Sequence, residues 1–401
     1  MNATMKYMLP MLFSSLLVAV SSGQGQQTSV ETPTVKGVLD AHRVVVFETP
    51  KDSCNQNDIP DAMARAFRDS TGTVHLVAAS SELFQSLGPT LESVEHSCEV
   101  GHRSAGDPNP ADFNDQSWID SFYTLDGDKV AGLTHMEYHG WAHKGKCTFK
   151  NGYNGCEYDS DTYHESTDGG YHFHSFKAPA NFLAGVPYEY VEDGGPSGYS
   201  VDSNIIELGG WYYAMVTSWT WPANCTGSQG PHRCLTSGAA PIRTTDVFDP
   251  SSWRGWSGTD FSVSFMDPYV GPVDHPQEHV YTPVPYMDVV TGINIFQPAN
   301  LVVAVLWNPW SNEYGAKGFY LSTSTDLVNW TKPTLVATVD QFLEQEPKGS
   351  WSYAYFSLID PAAPDRNFSI IGDHPYLYYV RFANAGSSRI LFRQGIKLSL
   401  K

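Results

Sequence analysis

The sequence predicts an all-β fold of the β-propeller class, in which small antiparallel sheets surround one axis. Its 401 residues include 13% aromatic residues, 34 glycines and 26 prolines, a composition that favours short strands joined by tight turns. Strand-like runs recur along the chain, and no long amphipathic helix separates them. The roughly 375 residues that follow an N-terminal leader suit one closed ring of sheets. We therefore predict a single β-propeller domain over residues 37–401, with five blades.

The strand-like runs are rich in β-branched or aromatic residues and are bounded by Gly, Pro, Asp or Asn. They are Arg43–Phe47, Val74–Ala78, Lys129–Leu133, Trp211–Val216, Leu301–Leu306 and Leu377–Phe382. Five blades can be placed around residues 60–100, 117–178, 198–262, 290–340 and 350–398. The first run, Arg43–Phe47, is then expected to close the ring beside the last blade.

Two segments are candidates for short helices. Val336–Glu346 is the stronger candidate. Asp61–Arg68 has a capping residue and a proline at its start. The stretch from Phe67 to Leu76 also has the pattern of strand, polar turn and strand, which is typical of a hairpin inside a blade. Both structures therefore remain possible for Asp61–Arg68.

The first residues have the pattern of an export signal. Lys6 precedes an apolar run from Met8 to Val20, and the small residues Ser21–Gly23 follow it. We predict a signal peptide over residues 1–23 and a flexible tail over residues 24–36. No later stretch approaches the ~18–20 apolar residues of a membrane-spanning helix. The mature protein is therefore expected to be secreted, extracellular and not anchored in a membrane.

The chain has an even number of cysteines, as disulfide-bonded exported proteins do. They are Cys54, Cys98, Cys147, Cys156, Cys225 and Cys234. The pairs 147/156 and 225/234 each bracket a Gly/Asn-rich loop, which predicts two local disulfides and leaves Cys54 to pair with Cys98. Zinc is the weaker interpretation, because no CxxC pair occurs. Glycosylation sequons begin at Asn224, Asn329 and Asn367.

The net charge limits the partners of the protein. It is −19 with histidine neutral, whereas nucleic acids and anionic membranes require a basic surface. The expected partner is an oligosaccharide or polysaccharide substrate, and we expect a monomer.

A short polar corner recurs three times in the chain. The copies are Ser166–Phe173, Thr244–Trp253 and Ser322–Trp330. Each aspartate can bond the backbone of its own turn, while the following Phe or Trp packs between sheets. These aspartates are therefore predicted to be structural.

The segment STSTDLVNW, followed by Pro333, resembles five-bladed propeller glycosidases of the arabinanase and β-xylosidase type, as does the order of strand, polar turn and strand around it. The segment Ser166–Gly170 is similar to the Asp-box of sialidases, which use six blades. The chain has no clean copy of the Glu-Gly-Pro segment that carries the arabinanase acid. The resemblance implies hydrolysis of a glycosidic bond at the mouth of the propeller channel.

Polar residues at the starts of inner strands are where propeller chemistry is expected. His135, Glu137 and His139 alternate with Met136 and Tyr138, so a strand would project all three polar groups from one face. Such a strand could position a sugar, surround a proton-donating glutamate, form a structural network or bind a metal. We expect no metal and no cofactor, because the i, i+2 spacing matches no strong zinc motif.

Glycoside hydrolysis usually needs two carboxyl groups, one protonated and one ionised. Glu137 is the candidate acid. Asp61 and Asp202 are the candidates for the base and for the group that tunes the acid. The remaining candidates would contact substrate through charge, hydrogen bonds or flat rings. They are Arg65, His135, Tyr138, His139, Asn204, Gln297, Trp307 and Tyr355, with Trp141 as a further flat ring.

The predicted function is thus a secreted carbohydrate-active hydrolase with paired carboxylates. A propeller that binds glycans without catalysis would use the same aromatic and amide groups. A polysaccharide lyase would instead use a histidine with a tyrosine, and Arg65 would neutralise the carboxylate of an acidic sugar.

Overall fold

The structure is a computed structural model, and almost all of its regular secondary structure is β-strand. It describes residues 32–148, 156–192, 196–201, 203–220, 238–311, 313–347, 349–383 and 388–401. The predicted all-β propeller class is confirmed. Within these ranges no helix is long and apolar enough to cross a membrane.

The first strand that the structure describes, β1 (Val35–Glu48), does not pair with the strands next to it in the chain. The next four strands form a meander: β2 (Arg65–Arg68), β3 (Val74–Val77), β4 (Glu82–Gly88) and β5 (Glu95–Arg103). The segment around residues 61–68 is therefore the start of a hairpin and not a helix. The Asp69 carboxylate accepts hydrogen bonds from the backbone of Thr71 and Thr73, which fixes the turn between β2 and β3.

The second sheet has eleven strands and contains two successive groups. The first group is β6 (Gln116–Thr124), β7 (Val130–His139), β8 (Glu157–Ser166), β9 (His174–Ser175) and β10 (Phe182–Ala184). The second group is β11 (Ser197–Val201), β12 (Ile206–Leu208), β13 (Trp211–Thr220), β14 (Gly238–Thr244), β15 (Arg254–Gly255) and β16 (Val263–Ser264). A short parallel pairing of β8 with β11 joins the groups. Gly198 permits this approach, because its φ is +134° and a Cβ there would lie 2.0 Å from the Asp159 carbonyl.

The third sheet follows with five strands. They are β17 (Val290–Phe296), β18 (Leu301–Asn308), β19 (Gly318–Ser324), β20 (Thr334–Thr338) and the later β22 (Ile370–Ile371), which pairs parallel to β17. The predicted helix at 336–346 is shorter in the structure. It is α1 (Val339–Leu343), and Thr338 and Gln341 form a capping box at its start. The residues before it pair with β19 instead.

The last sheet contains β1 as one of its two edge strands. Its other strands are β21 (Trp351–Ile359), β23 (Tyr376–Ala383) and β24 (Arg389–Leu400). β1 pairs antiparallel with β24 along most of its length, which confirms the predicted closure by Arg43–Phe47. The buried Glu346 carboxylate also joins Arg43 of β1 to Arg381 of β23.

The first strands of successive groups form a closed circle of contacts. β2 contacts β6 and β21, and β17 contacts β12, β13 and β21. The Ser121 hydroxyl of β6 donates to the Ser203 carbonyl just before β12, which completes the circle. Among the described residues hydrogen bonding gives four sheets, because the strands β6 to β10 and β11 to β16 share one. The number of five blades therefore stays a prediction.

The repeated polar corner has the predicted role in all three copies. Hydroxyls at Ser166, Thr244 and Ser324 accept from backbone N–H groups of their own turns. Asp168 and Asp326 bond backbone N–H groups two to four residues along the chain. These side chains are used for turn geometry.

Two of the three predicted disulfides are present. Cys54 is bonded to Cys98, and Cys147 is bonded to Cys156. Cys225 and Cys234 lie outside the described residues, as do the sequon at Asn224 and the predicted signal peptide.

Candidate active site

A cleft of about 700 Å³ is lined by the segment just before β2 and by residues of β6, β7, β8, β11, β21 and β24. His135, Glu137 and His139, which the sequence predicted at the start of an inner strand, lie instead at the end of β7 and enter the cleft from there. Its lining consists of Asp61, Ala62, Met63, Trp118, Asp120, His135, Glu137, His139, Trp141, Glu157, Asp159, Pro196, Ser200, Tyr355 and Arg389.

One part of the lining is a polar face of the strands β6 to β8. The predicted alternation on β7 is present, and it brings His135, Glu137 and His139 to the same side. Register then adds residues from the neighbouring strands. Glu137 lies opposite Asp159, and His139 lies opposite Glu157. Histidine and carboxylate side chains therefore meet in one contiguous patch.

Glu137 is held as an ionised carboxylate by its neighbours on β7. Its Oε2 lies 2.6 Å from His139 Nε2, and its Oε1 lies 3.9 Å from His135 Nε2. Burial would raise the pKa of Glu137, but the His139 hydrogen bond and the positive charge of His135 outweigh burial and lower it. The side chain is still 17% exposed. Glu137 can therefore reach a bound ligand.

The carboxyl groups behind Glu137 are buried and hold protons more strongly. Burial, together with the negative charge of Glu137, raises the pKa of Asp159 to about 6 despite the nearby His135. Burial and the charges of Asp159 and Glu137 raise the pKa of Glu157 to about 10. Burial alone would lower the pKa of His135, but Asp159 and Glu137 raise it well above its usual value. These shifts favour the positively charged form of His135 and the neutral form of Glu157.

Asp61 enters the cleft from the segment just before β2. Its Oδ1 accepts a 2.9 Å hydrogen bond from the Tyr355 hydroxyl and forms an ion pair with Arg389. Burial raises the pKa of Asp61, and both partners oppose that rise without cancelling it. The side chain is 20% exposed. Asp61 and Glu137 are thus the carboxyl groups that are both accessible from the cleft and pushed apart in pKa.

The structure brings six of the predicted site residues together and leaves five elsewhere. The six that line the cleft are Asp61, His135, Glu137, His139, Trp141 and Tyr355. Arg65, Tyr138, Asn204, Gln297 and Trp307 do not. Asp202 lies outside the described residues.

Arg65 and Asn204 lie outside the cleft lining and make contacts at the centre of the ring. Arg65 is buried and donates to the backbone carbonyls of Asp120 and Thr291. The Asn204 side-chain oxygen accepts from the Ile293 N–H. Both contacts join one group of strands to another, which is why these polar residues stand at the starts of inner strands.

The predicted aromatic residues Tyr138 and Trp307 are buried and do not line the cleft. Tyr138 points away from Glu137, is buried, and donates to the Pro108 carbonyl. Trp307 is buried against Phe356 and donates to the Tyr353 carbonyl. Gln297 lies in an exposed 3-10 turn that precedes β18.

Several residues that line the cleft were not predicted from the sequence. They are Trp118, Asp120, Glu157, Asp159 and Arg389. A signal was present for two of them, because Glu157, Asp159 and Asp161 alternate along one strand as the residues of β7 do. Arg389 had none, since it reaches the cleft from the far end of the chain.

The described residues contain two groups with three potential metal-ligand atoms close together. They are Cys54 with Asp58 and His96, and Cys147 with Cys156 and Glu192. Their cysteines form disulfides, so the sulfurs are not the thiolates that metals bind. Neither group lies in the cleft.

No protein-family model matches the sequence, and no curated protein matches it. Similar solved structures include a protein of unknown function from Dyadobacter fermentans, with 11% identity and a TM-score of 0.47 over 92% of this chain and 100% of that one. An α-L-arabinanase mutant from Cellvibrio cellulosa has 9% identity and a TM-score of 0.41, over 82% of this chain and 90% of its own. A GH43 protein from Bacillus licheniformis has 12% identity and a TM-score of 0.38, over 83% and 53%. At these scores the similarities do not indicate a function for this protein.

Proposed function

We propose that this protein is a secreted glycoside hydrolase that cleaves a glycosidic bond of an oligosaccharide or polysaccharide in the cleft. The observation that carries the proposal is the pair Asp61 and Glu137. Both carboxyl groups are partly exposed to the same cleft, and their surroundings shift their pKa values in opposite directions. Two carboxyl groups with separated proton affinities are what acid-base hydrolysis of a glycoside requires.

In this proposal Asp61 is the proton donor and Glu137 is the ionised partner. The raised pKa of Asp61 favours its protonated form, which can donate to the leaving oxygen. The lowered pKa of Glu137 keeps a negative charge that can activate water or attack the sugar directly. This assignment reverses the acid role that the sequence predicted for Glu137. The reason is the pair of histidines on its own strand, which stabilises the anion.

Histidine and carboxyl groups around the pair would maintain these proton affinities during turnover. His135 sits between Glu137 and Asp159, 3.9 Å from an oxygen of each. A positive charge held there favours ionised Glu137, whereas the neutral Glu157 adds no further negative charge. Tyr355 and Arg389 hold the Asp61 side chain at the other part of the lining.

Secretion is part of the proposal, and two observations support it. The N-terminal sequence has the pattern of an export signal. Cys54–Cys98 and Cys147–Cys156 form disulfides, which persist mainly in oxidising compartments. Mass spectrometry of culture medium from expressing cells would detect the mature chain, and retention of the full chain inside the cells would contradict this part.

The activity is tested by incubating purified protein with a panel of plant, algal and animal glycans and measuring released reducing sugar. On any glycan that is cleaved, Glu137→Gln should lower kcat by about 10³-fold or more, because the amide cannot carry the negative charge. Glu95→Gln on the exposed face of β5 is the matched control and should leave activity unchanged. Full activity in the Glu137→Gln variant would overturn the proposal.

Two assays distinguish the roles of Asp61 and Glu137. One varies the leaving group of the substrate, and the other adds an external anion. Asp61→Ala should retain much more activity on nitrophenyl glycosides than on natural glycans, since a good leaving group needs no proton. Glu137→Ala should be partly rescued by azide, with a glycosyl azide as product. The opposite pattern would exchange the roles. A protein that binds glycans but releases no sugar from any panel member would instead be a binding propeller.

A further inference from the structure

Trp141 presents an aromatic surface at the edge of the cleft. It lies in the 3-10 turn Gly140–Ala142 that directly follows β7. The residue lines the cleft and is 42% exposed, although it is one of the largest apolar side chains in the protein. An exposed indole that lines a polar cleft offers a flat apolar face on which a ligand ring can stack.

The indole packs against the residue that holds Glu137. Its ring is stacked on the His139 ring, with 4.9 Å between ring centroids and 27° between the planes. The same His139 bonds Glu137 through its Nε2. A ligand on Trp141 would therefore lie one side chain away from the ionised carboxylate.

The turn that carries Trp141 is held by contacts on both sides. The Asp115 carboxylate accepts from the His139 backbone N–H and is 2.8 Å from His143 Nε2. Gly140 lies so close to Tyr190 that an added Cβ would be 2.4 Å from the tyrosine hydroxyl. The turn is thus anchored before a ligand arrives, which reduces the entropy lost on binding.

The charge of the lining restricts what can lie on this surface. The cleft contains five carboxyl groups, and the positive charges of Arg389 and His135 are already paired with carboxylates of the lining. An acidic sugar would meet carboxylates without a free cation among the lining residues. A neutral sugar ring has C–H groups on one face, which pack on the negative face of an indole.

We propose that Trp141 is a sugar-binding platform that holds a neutral glycosyl unit against the cleft, next to the Glu137–His139 pair. The proposal rests on the proposed function only in that the ligand is a glycan. It assigns Trp141 to binding and not to the proton transfer.

Binding is measured in the Glu137→Gln background, so that hydrolysis is not required. Titration with neutral oligosaccharides from the panel should change tryptophan fluorescence, and Trp141→Phe in the same background should remove most of that change. Trp310→Phe is the matched control, because Trp310 is 71% exposed and does not line the cleft. Trp141→Ala should weaken binding about 10-fold, and Trp141→Phe should weaken it less, since a flat ring remains.

Turnover gives a second readout that distinguishes binding from support of His139. A platform that binds substrate and transition state equally should raise KM in Trp141→Ala while kcat and its pH profile stay close to wild type. If kcat falls and the acidic limb moves with KM unchanged, Trp141 is only a packing partner of His139, and the proposal is overturned. Tighter binding of uronic-acid oligosaccharides than of neutral ones would overturn the assigned ligand class. Glycan binding that depends on Trp141, without hydrolysis in wild type, would retain the platform and contradict only the hydrolase.

Discussion

Asp61 and Glu137 acquire different proton affinities because different side chains surround them. Glu137 is next to two histidines on its own strand, so the anion is favoured. Burial raises the pKa of Asp61, and the charge of Arg389 opposes that rise only in part. The chemistry proposed for each carboxyl group follows from these neighbours and not from the residue type.

Arg389→Met tests this relation through the pH dependence of kcat/KM. Removal of the guanidinium takes away an interaction that lowers the pKa of Asp61, so that pKa should rise further. If Asp61 donates the proton, activity is lost as pH rises through its pKa, and the basic limb should therefore move to higher pH. We expect kcat/KM at the optimum to fall about 10- to 100-fold, because the side chain also positions Asp61.

Movement of the acidic limb instead would show that Asp61 acts in its ionised form. A profile in which neither limb moves would contradict a role for Asp61 in the rate. Lys51→Met, at an exposed position away from the cleft, serves as the control for loss of one positive charge.

At the scale of elements, the strand pair β7–β8 creates most of the polar face of the cleft. Alternation on β7 could be predicted, since successive side chains of a strand point to opposite sides. The pairing register could not, and it is the register that places Asp159 opposite Glu137. The turn after β7 then adds Trp141 to the same edge.

The two described disulfides should differ in their contribution to stability. Cys54–Cys98 closes a loop with a sequence separation of 44, and Cys147–Cys156 closes one of 9. The chain-entropy model then gives about 4 kcal/mol for the long loop and about 2.5 kcal/mol for the short one. Paired Cys→Ser variants should show this order in the free energy of unfolding, measured by urea denaturation. A larger loss from the 147/156 pair would show that local packing, and not loop closure, sets its contribution.

At the scale of the whole molecule, the ring of sheets is joined at its centre by polar contacts to the backbone. Arg65 reaches carbonyls of β6 and β17 from β2, at 2.9 and 3.0 Å. β1 then closes the ring by pairing with β24. Residues that are distant in the chain meet in the cleft only because this ring is closed.

Arg65→Met should therefore reduce stability and leave the chemistry of the folded protein nearly unchanged. Loss of the charged donors leaves the buried Asp120 carbonyl and the partly buried Thr291 carbonyl without these partners, at a cost of about 3 kcal/mol in the free energy of unfolding. The kcat/KM of the folded fraction should stay within about 3-fold of wild type, because Arg65 does not line the cleft. A stable variant with a strongly raised KM would restore the substrate-binding role that the sequence predicted for Arg65.

The sequence alone determined the features that depend on near neighbours in the chain. The all-β class, the shared face of His135, Glu137 and His139, the polar corners and the Cys147–Cys156 disulfide follow from composition, period and spacing. Closure by β1 was also predictable, because an unpaired edge strand needs a partner. Apart from that closure, these features require no knowledge of how separate sheets pack.

Only the tertiary structure decided which of the predicted side chains meet. Arg65 and Tyr138 have the residue types of a binding site, yet one joins the sheets at the centre and the other packs on the far face of its strand. Arg389 lies more than 300 residues from Asp61 in the chain and still forms its ion pair. Such contacts depend on register and on the packing of whole sheets, which are set by the sum of many weak interactions and leave no periodic pattern in the sequence.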